Sequence, residues 1–447
     1  MNYIAYTIGP IYDTIFYTLK GDNKTKKLKA GSYFFSLFMK KLLNNIKEDF
    51  DILVPYIGAN ALTHEHKMGL FHDRFIAQSD KSKDEIRDIF VAKVELTFKE
   101  LAEIIQDETK AYELMENMTN HTIIASQDEL KNVDENIIFA LNKILDSKEL
   151  QRSFTFHMPK TNWIQMYQNN AAQKSKVKTI EDMSETLGFK YYAVITADGD
   201  KMGAKIKEEA TDNPAKIKDL SQKLFTFFTA ENDIYTITNR EFGGELIYAG
   251  GDDILAFLPV KFEDKTFLDY IKVLDERFKK YVGADVSLSF GVNIAYYKYP
   301  LRNAINSAFD LLHEAKSDAN IKNRVSLKIT KHSGQYFGTT LALQDARYEK
   351  YKKLVDGILN NEVSLPHSLH HSLKRYEEAI LATYGYEDSS VKAMFATVFN
   401  DAKSDTDTNG LEIVREYLDI CRPKTNIEFD AIFSELSIIK FLRGDRE

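Results

Sequence analysis

The sequence predicts an α+β protein: two ferredoxin-like units, a helical insertion between them and a helical domain at the C-terminal end. Three observations carry this. Strand and helix signals run β-α-β-β-α through residues 1–107, the core order of a ferredoxin-like unit. The same order returns in residues 188–340. Residues 108–187 and 341–447 carry mainly helical and connective patterns. A diverged structural duplication accounts for the repeated order.

Each element follows from local pattern. Residues 3–8 (YIAYTI) read as a strand closed by Gly9-Pro10. Tyr33, Phe34, Leu37, Phe38, Leu42 and Leu43 then recur at three- and four-residue spacing, the stripe of an amphipathic helix. Asp51–Tyr56 and Asp73–Ala77 are short strands. Ile86, Phe90, Val94, Phe98, Leu101 and Ile105 form one face of a long helix. Residues 108–187 are polar, with Gln168-Asn169-Asn170 among them, and read as the helical insertion. The pattern then changes. Lys190–Ala197 is a nearly continuous apolar run of β-favouring residues, the signature of a strand buried on both faces. A helix is expected over 215–230, two strands over 245–249 and 254–258, a helix over 265–281, a strand over 286–295 and a helix over 301–316. Leu411–Leu418 in the C-terminal part is amphipathic and needs a surface to pack on.

Bulk properties exclude several classes. Among 447 residues, 44% are hydrophobic, 12% aromatic and 28% charged, which is the balance of a folded protein with its own cores. No apolar run approaches the ~20 residues of a membrane span, and MNYIAYTIGP lacks the basic and apolar regions of a signal peptide. The single cysteine, Cys421, makes neither an internal disulfide nor a cysteine-based zinc site, so a cytoplasmic location is expected and no membrane partner. A net charge of -8 argues against a dedicated duplex-DNA binder but leaves room for local basic patches, such as Lys20, Lys24, Lys26, Lys27 and Lys29.

The chemistry concentrates in two acidic motifs. Asp198 stands where an apolar strand ends, and Asp252-Asp253 stand in a Gly-Gly-Asp-Asp hairpin between two apolar strands. Three carboxylates at one sheet edge suit two Mg²⁺ (or Mn²⁺) ions ~3.5–4 Å apart, which activate an attacking hydroxyl and neutralise a triphosphate. The expected site residues are Asp198, Asp252 and Asp253 as metal ligands, with Gly199, Asp200, Gly203, Gly250 and Gly251 leaving room for phosphates near the backbone. An EF-hand counted from Asp198 fails, because Met202 and Ile206 fall at ligand positions. His64-Glu65-His66 reads as a loop, since histidines two apart do not share a helix face.

A family resemblance rests on these stretches. YYAVITADGDKMG (191–203) and GGELIYAGGDDILAFLP (243–259) resemble the polymerase-like large subunit of type III CRISPR effector complexes, the Cmr type in particular. TIGPIYDTI (7–15), KLKAGSYFFS (27–36) and LFHDRFIA (70–77) look like that family's first palm domain, without its carboxylates. SLSFGVNIAYYKYPLRNAINSAFDLLHEAK (287–316) is similar to the end of its second, GGDEF/cyclase-like palm. The resemblance implies a Mg²⁺-dependent nucleotidyltransferase that takes ATP to cyclic oligoadenylates inside an antiviral complex with other subunits, guide RNA and target RNA. It also implies a phosphate contact at Lys316.

Two departures from the family pattern stand out. No HD nuclease domain is expected, His72-Asp73 being read as non-catalytic, and no zinc finger joins the palms. A homodimeric cyclase, an enzyme joining AMP to another small acceptor, and a catalytically silent scaffold are the rival readings.

Overall fold

The computed structural model describes residues 1–9, 24–58, 60–63, 68–105, 119–134, 136–152, 177–185, 190–210, 213–318, 320–331, 334–365, 369–383, 390, 393–394, 396–398 and 408–444. The His64-Glu65-His66 and Gln168-Asn169-Asn170 readings, and Lys20, lie outside these residues.

In the first unit, β1 (Asn2–Gly9) is buried on both faces: Ile4, Tyr6 and Ile8 enter the main core, while Tyr3 and Ala5 enter a second one. Helix α1 (Lys24–Ile46), strands β2 (Asp51–Val54) and β3 (Arg74–Ser79), and helix α2 (Lys83–Ile105) follow in the expected order. Tyr6 sits among Phe38, Phe75 and Phe90, with ring centroids 5.4–6.3 Å away, so α1, β3 and α2 converge on one aromatic cluster.

The expected helical insertion is corrected in part. Residues 119–126 form a strand, β4 (Thr119–Ser126), that pairs antiparallel with the whole of β1. It completes an antiparallel sheet of order β2-β3-β1-β4, the full ferredoxin-like arrangement. Two helices of the insertion, α3 (Gln127–Lys131) and α4 (Ile137–Arg152), cover the other face of this sheet through Leu130, Ile138, Leu141 and Leu145. Arg74 pins α4 with bonds of 2.7 Å to Asp146 and 2.9 Å to Glu149.

After the short α5 (Ile180–Glu185), the second unit runs β5 (Tyr191–Asp200), α6 (Met202–Ala210), α7 (Pro214–Thr229), a short helix α8 (Ile234–Thr236) with a π-turn over Ile237–Glu241, then β6 (Glu245–Gly250) and β7 (Asp253–Pro259). A small ribbon, β8 (Lys261–Phe262) with β9 (Lys265–Thr266), leads to α9 (Phe267–Tyr281), β10 (Ser287–Tyr296) and α10 (Leu301–Lys316). Two further strands, β11 (Arg324–Thr330) and β12 (Tyr336–Ala342), extend the sheet to six strands in the order β12-β11-β10-β5-β7-β6. Every pairing is antiparallel except β10 with β11. The central β5 is buried on both faces, as its uninterrupted apolar run requires. Helix α10 lies directly on β10 at Gly291, where a β-carbon would stand 2.9 Å from the Leu312 Cα and collide with the Ala308 carbonyl.

The C-terminal helices are α11 (Ala346–Leu359), α12 (Leu369–Arg375), α13 (Glu377–Thr383), α14 (Thr408–Cys421) and α15 (Asn426–Gly444). The amphipathic stretch around Leu411–Leu418 buries Ile413, Val414, Tyr417 and Leu418 within the chain itself. Glu435 on α15 is fully buried, and it takes a 2.6 Å bond from Arg347, a 2.5 Å bond from Thr339 and a bond from Tyr417. That network fastens α11, α14 and α15 to edge strand β12. One continuous core runs from α1 through both sheets into these helices.

Candidate active site

Three chain segments bring the acidic residues together. The apolar register of β5 against β7 aligns Ala197 with Ile254, so Asp198, still paired with Ser289 of β10, stands beside the β6–β7 turn. Gly251 takes φ +67 in that turn, a left-handed conformation that glycine adopts freely, and this tightens the hairpin and presents Asp252 and Asp253. Carboxylate oxygens of Asp198, Asp252 and Asp253 lie within 4.8 Å of one another. Gly199 leaves the space for this: a β-carbon there would stand 2.7 Å from the Asp252 carboxylate and from Met202 Cγ.

Electrostatics at the site are strained toward a cation. Burial, then Asp198 and Asp253, push the Asp252 carboxyl well above the usual carboxylate range. Asp253 has an open face, yet the surrounding protein, with Asp198, pushes its carboxyl up to about 7. Lys316, the last residue of α10, pairs with Asp198 and donates to the Gly199 carbonyl at 2.9 Å. One ammonium against three carboxylates leaves an excess of negative charge, and oxygen donors this close suit Mg²⁺ or Mn²⁺.

The first unit closes the site from the other side. The Leu70 carbonyl and the His72 ring stand 3.3 and 3.7 Å from where β-carbons on Gly250 and Gly251 would be. Asp73 adds to the upward push on Asp253 and on the buried Tyr248 hydroxyl. A pocket of about 250 Å³ opens here, walled by Tyr56, Phe225 and Phe228 and reaching His72, Gly251 and Asp252.

This is the setting in which the comparisons fall. Residues 191–326 match the family model of the Cas10/Cmr2 second palm domain, so the acidic hairpin, β5 and α10 all lie within the match. The second unit is thus similar to that Cas10/Cmr2 palm. The curated relative "CRISPR system Cmr subunit Cmr2" of Pyrococcus furiosus is 33% identical over 175 residues, taking in 33% of this chain and 19% of the relative's length. The chain therefore matches about a fifth of that relative.

Solved structures extend the likeness to the whole fold. A type III-B Cmr-beta complex bound to cognate target RNA superposes with a TM-score of 0.60 at 11% identity, covering 99% of this chain and 83% of that one. A Csm1–Csm4 cassette in complex with pppApA gives 0.58 at 12% identity, covering 99% and 69%. At those identities the likeness concerns the fold.

Within this Cas10-like palm, the expected site residues separate. Asp198, Asp252, Asp253, Gly199, Gly251 and Lys316 share one site, and Gly250 precedes the turn. Gly203 sits in the first turn of α6, where a β-carbon would meet only the Phe139 ring of α4, at an ordinary 3.8 Å. Asp200 turns out to be 1% exposed and wholly engaged with Ser287, Ser289 and the Asn323 amide. Lys29, from the basic patch, pairs with the buried Glu245 at the start of β6 and so serves to join the two units. His72-Asp73, read as non-catalytic, lies against the acidic turn. The repeated topology held that signal: Asp73 directly precedes β3 just as Asp252 precedes β7.

Proposed function

We propose that the chain is an RNA-activated nucleotidyltransferase of a type III CRISPR effector complex, converting ATP into cyclic oligoadenylates. The observation that carries this is the carboxylate trio within 4.8 Å in a Cas10/Cmr2 second palm. Asp198, Asp252 and Asp253 would hold Mg²⁺ or Mn²⁺. Bound there, two such ions make the attacking ribose hydroxyl a better nucleophile and spread the charge developing on the triphosphate. Lys316 is within reach to exchange its carboxylate partner for phosphate oxygens, and the flexible, compact ammonium suits that role. The pocket walled by Tyr56, Phe225 and Phe228 offers an apolar cleft of base size beside the phosphates. His72 and the Leu70 backbone hold the hairpin from the first palm, so both palms shape one cavity.

The partners follow the relatives. The likeness to a Cmr-beta complex bound to cognate target RNA and to a Csm1–Csm4 cassette bound to pppApA supports an RNA-bound assembly and adenylate chemistry for this chain. The net charge of -8 agrees with leaving most RNA contact to neighbouring subunits.

The test is incubation of the RNA-bound assembly with labelled ATP and mass spectrometry of the products. Cyclic oligoadenylates are expected, and Asp252→Ala with Asp253→Ala should lower their formation by at least ~100-fold, the scale on which electrostatic groups at a reacting centre act. Undiminished turnover in that variant would move the chemistry elsewhere. AMP joined to another acceptor would keep the site and change the product.

A further inference from the structure

Beneath the trio lies a buried polar cluster that the proposed chemistry does not use. The Asp200 carboxylate accepts from Ser287 Oγ at 2.9 Å, from Ser289 Oγ at 2.9 Å and from the Asn323 N–H at 2.9 Å. Asn323 holds φ at +61, a conformation in which a non-glycine residue persists only when its surroundings fix it. They do so on every side. Its Nδ2 donates to Asp275 Oδ1 at 2.8 Å and to the Leu288 carbonyl at 3.0 Å. Its Oδ1 accepts from Lys279 at 3.2 Å, and Lys279 also reaches Asp275 at 2.5 Å. Asp275 in turn accepts from the Leu288 N–H at 3.1 Å.

Two arms run from this cluster to the site. Asp200 closes β5 two residues beyond Asp198. Asn323 closes the segment that follows α10, whose last residue is Lys316. Within that segment Lys322 Nζ donates to the Lys316 and Asp318 carbonyls at 2.8 and 2.7 Å, capping the helix end. Asp198 and Lys316 are 118 positions apart, yet they meet as a pair. The Asp200–Asn323 contact ties their two chain segments together from behind, beside the bond from Lys316 to the Gly199 carbonyl.

We infer that Asp200 and Asn323 are positioning residues for the acidic site, setting Asp198 and Lys316 against the hairpin without touching metal or nucleotide. The inference rests on reading the trio as a cation site. The Asp200 carboxylate, 1% exposed and served by three neutral donors, is satisfied in place and closed off from substrate. Groups that orient ligands from behind change metal affinity by 10–100-fold when removed.

The experiment compares the unmodified full chain with Asp200→Asn, with Ser287→Ala/Ser289→Ala and with Asn323→Gly. Glycine keeps the backbone amide and tolerates the positive φ, so that variant removes only the side-chain bonds. Mn²⁺ binding is titrated by electron paramagnetic resonance, melting is followed alongside, and kcat and KM for ATP are measured in the assembly. The inference expects all three variants to melt cooperatively, to bind Mn²⁺ about 10–100-fold more weakly, and to lose kcat with KM changed little. Should Asp200→Asn fail to fold, the serine and glycine variants decide alone. Full Mn²⁺ affinity in those two overturns the inference, and loss confined to Asp200→Asn makes Asp200 a direct ligand. Mn²⁺ binding without ATP turnover in the unmodified chain removes the proposed reaction but not the positioning role. Absence of Mn²⁺ binding removes both.

Discussion

At the scale of single residues, the acidic turn is held together against its own charge. The Asp253 carboxyl titrates at about 7 in the fold against 3.8 ordinarily, and Asp252 is also raised. Between those pH values the folded chain keeps a proton that the unfolded chain has lost. The linkage sign follows: the cost to folding is absent below the unfolded value and grows as pH rises toward about 7. Replacing both with asparagine should therefore stabilise the metal-free chain, more at pH 8 than at pH 5. A gain of about 2–4 °C at pH 8 corresponds to about 1 kcal/mol in a domain of moderate size. Thermal scans at both pH values check this, and Mg²⁺ should raise the melting temperature of the unmodified chain alone. Equal gains at the two pH values would show that the substitutions act by packing. The trio was legible because each carboxylate interrupts an apolar run, where only chemistry or a turn explains it. Asp200 was placed with the nucleotide-binding residues, because its true partners, Ser287 and Ser289, lie 87 and 89 positions away, beyond the reach of local pattern.

At the scale of elements, the close seat of α10 on β10 decides where Lys316 ends up. Thr196 of β5 reinforces it, its hydroxyl donating to the Ala308 carbonyl at 3.0 Å. Gly291→Ala would force the helix off the strand, since the obstructing atoms are backbone. A loss of about 1–3 kcal/mol is expected from overpacking, read as a lower denaturation midpoint. Weaker Mn²⁺ binding should accompany it, because the helix carries Lys316 away from Asp198. Wild-type stability would mean that the sheet bends instead. Helix α10 covers the 301–316 span expected for it, and its buried Ala304, Ala308, Leu311 and Ala315 fall at the three- and four-residue spacing of one face. Strands β4, β11 and β12 escaped notice for the opposite reason. TNHTIIAS, RVSLKIT and YFGTTLA mix polar and apolar residues in short runs, and their strand character comes from pairing with distant partners. β4 in particular is a half-exposed edge strand, identified by β1 and not by its own composition.

At the scale of the whole molecule, both palms and the C-terminal helices share one core, so the cavity between the palms responds to anything that shifts one against the other. The chain alone is expected to turn over ATP far more slowly than the assembly with matched RNA. Comparing the chain, the assembly and the RNA-bound assembly checks this, and equal rates in all three would identify a self-sufficient synthase. The helical C-terminal part was foreseen as needing a surface, and the chain supplies it: Glu435, Arg347 and Thr339 clamp it to β12.

The Lys29–Glu245 pair has a further consequence, for the birth of the protein. Lys29 leaves the ribosome first, and its buried partner follows 216 residues later. At about 5–20 residues per second, the first palm waits roughly 10–40 seconds with that face uncovered. For that interval the nascent chain displays apolar surface meant for its sibling palm, which makes it a client for ribosome-bound chaperones and makes slow codons before residue 245 a hazard to yield.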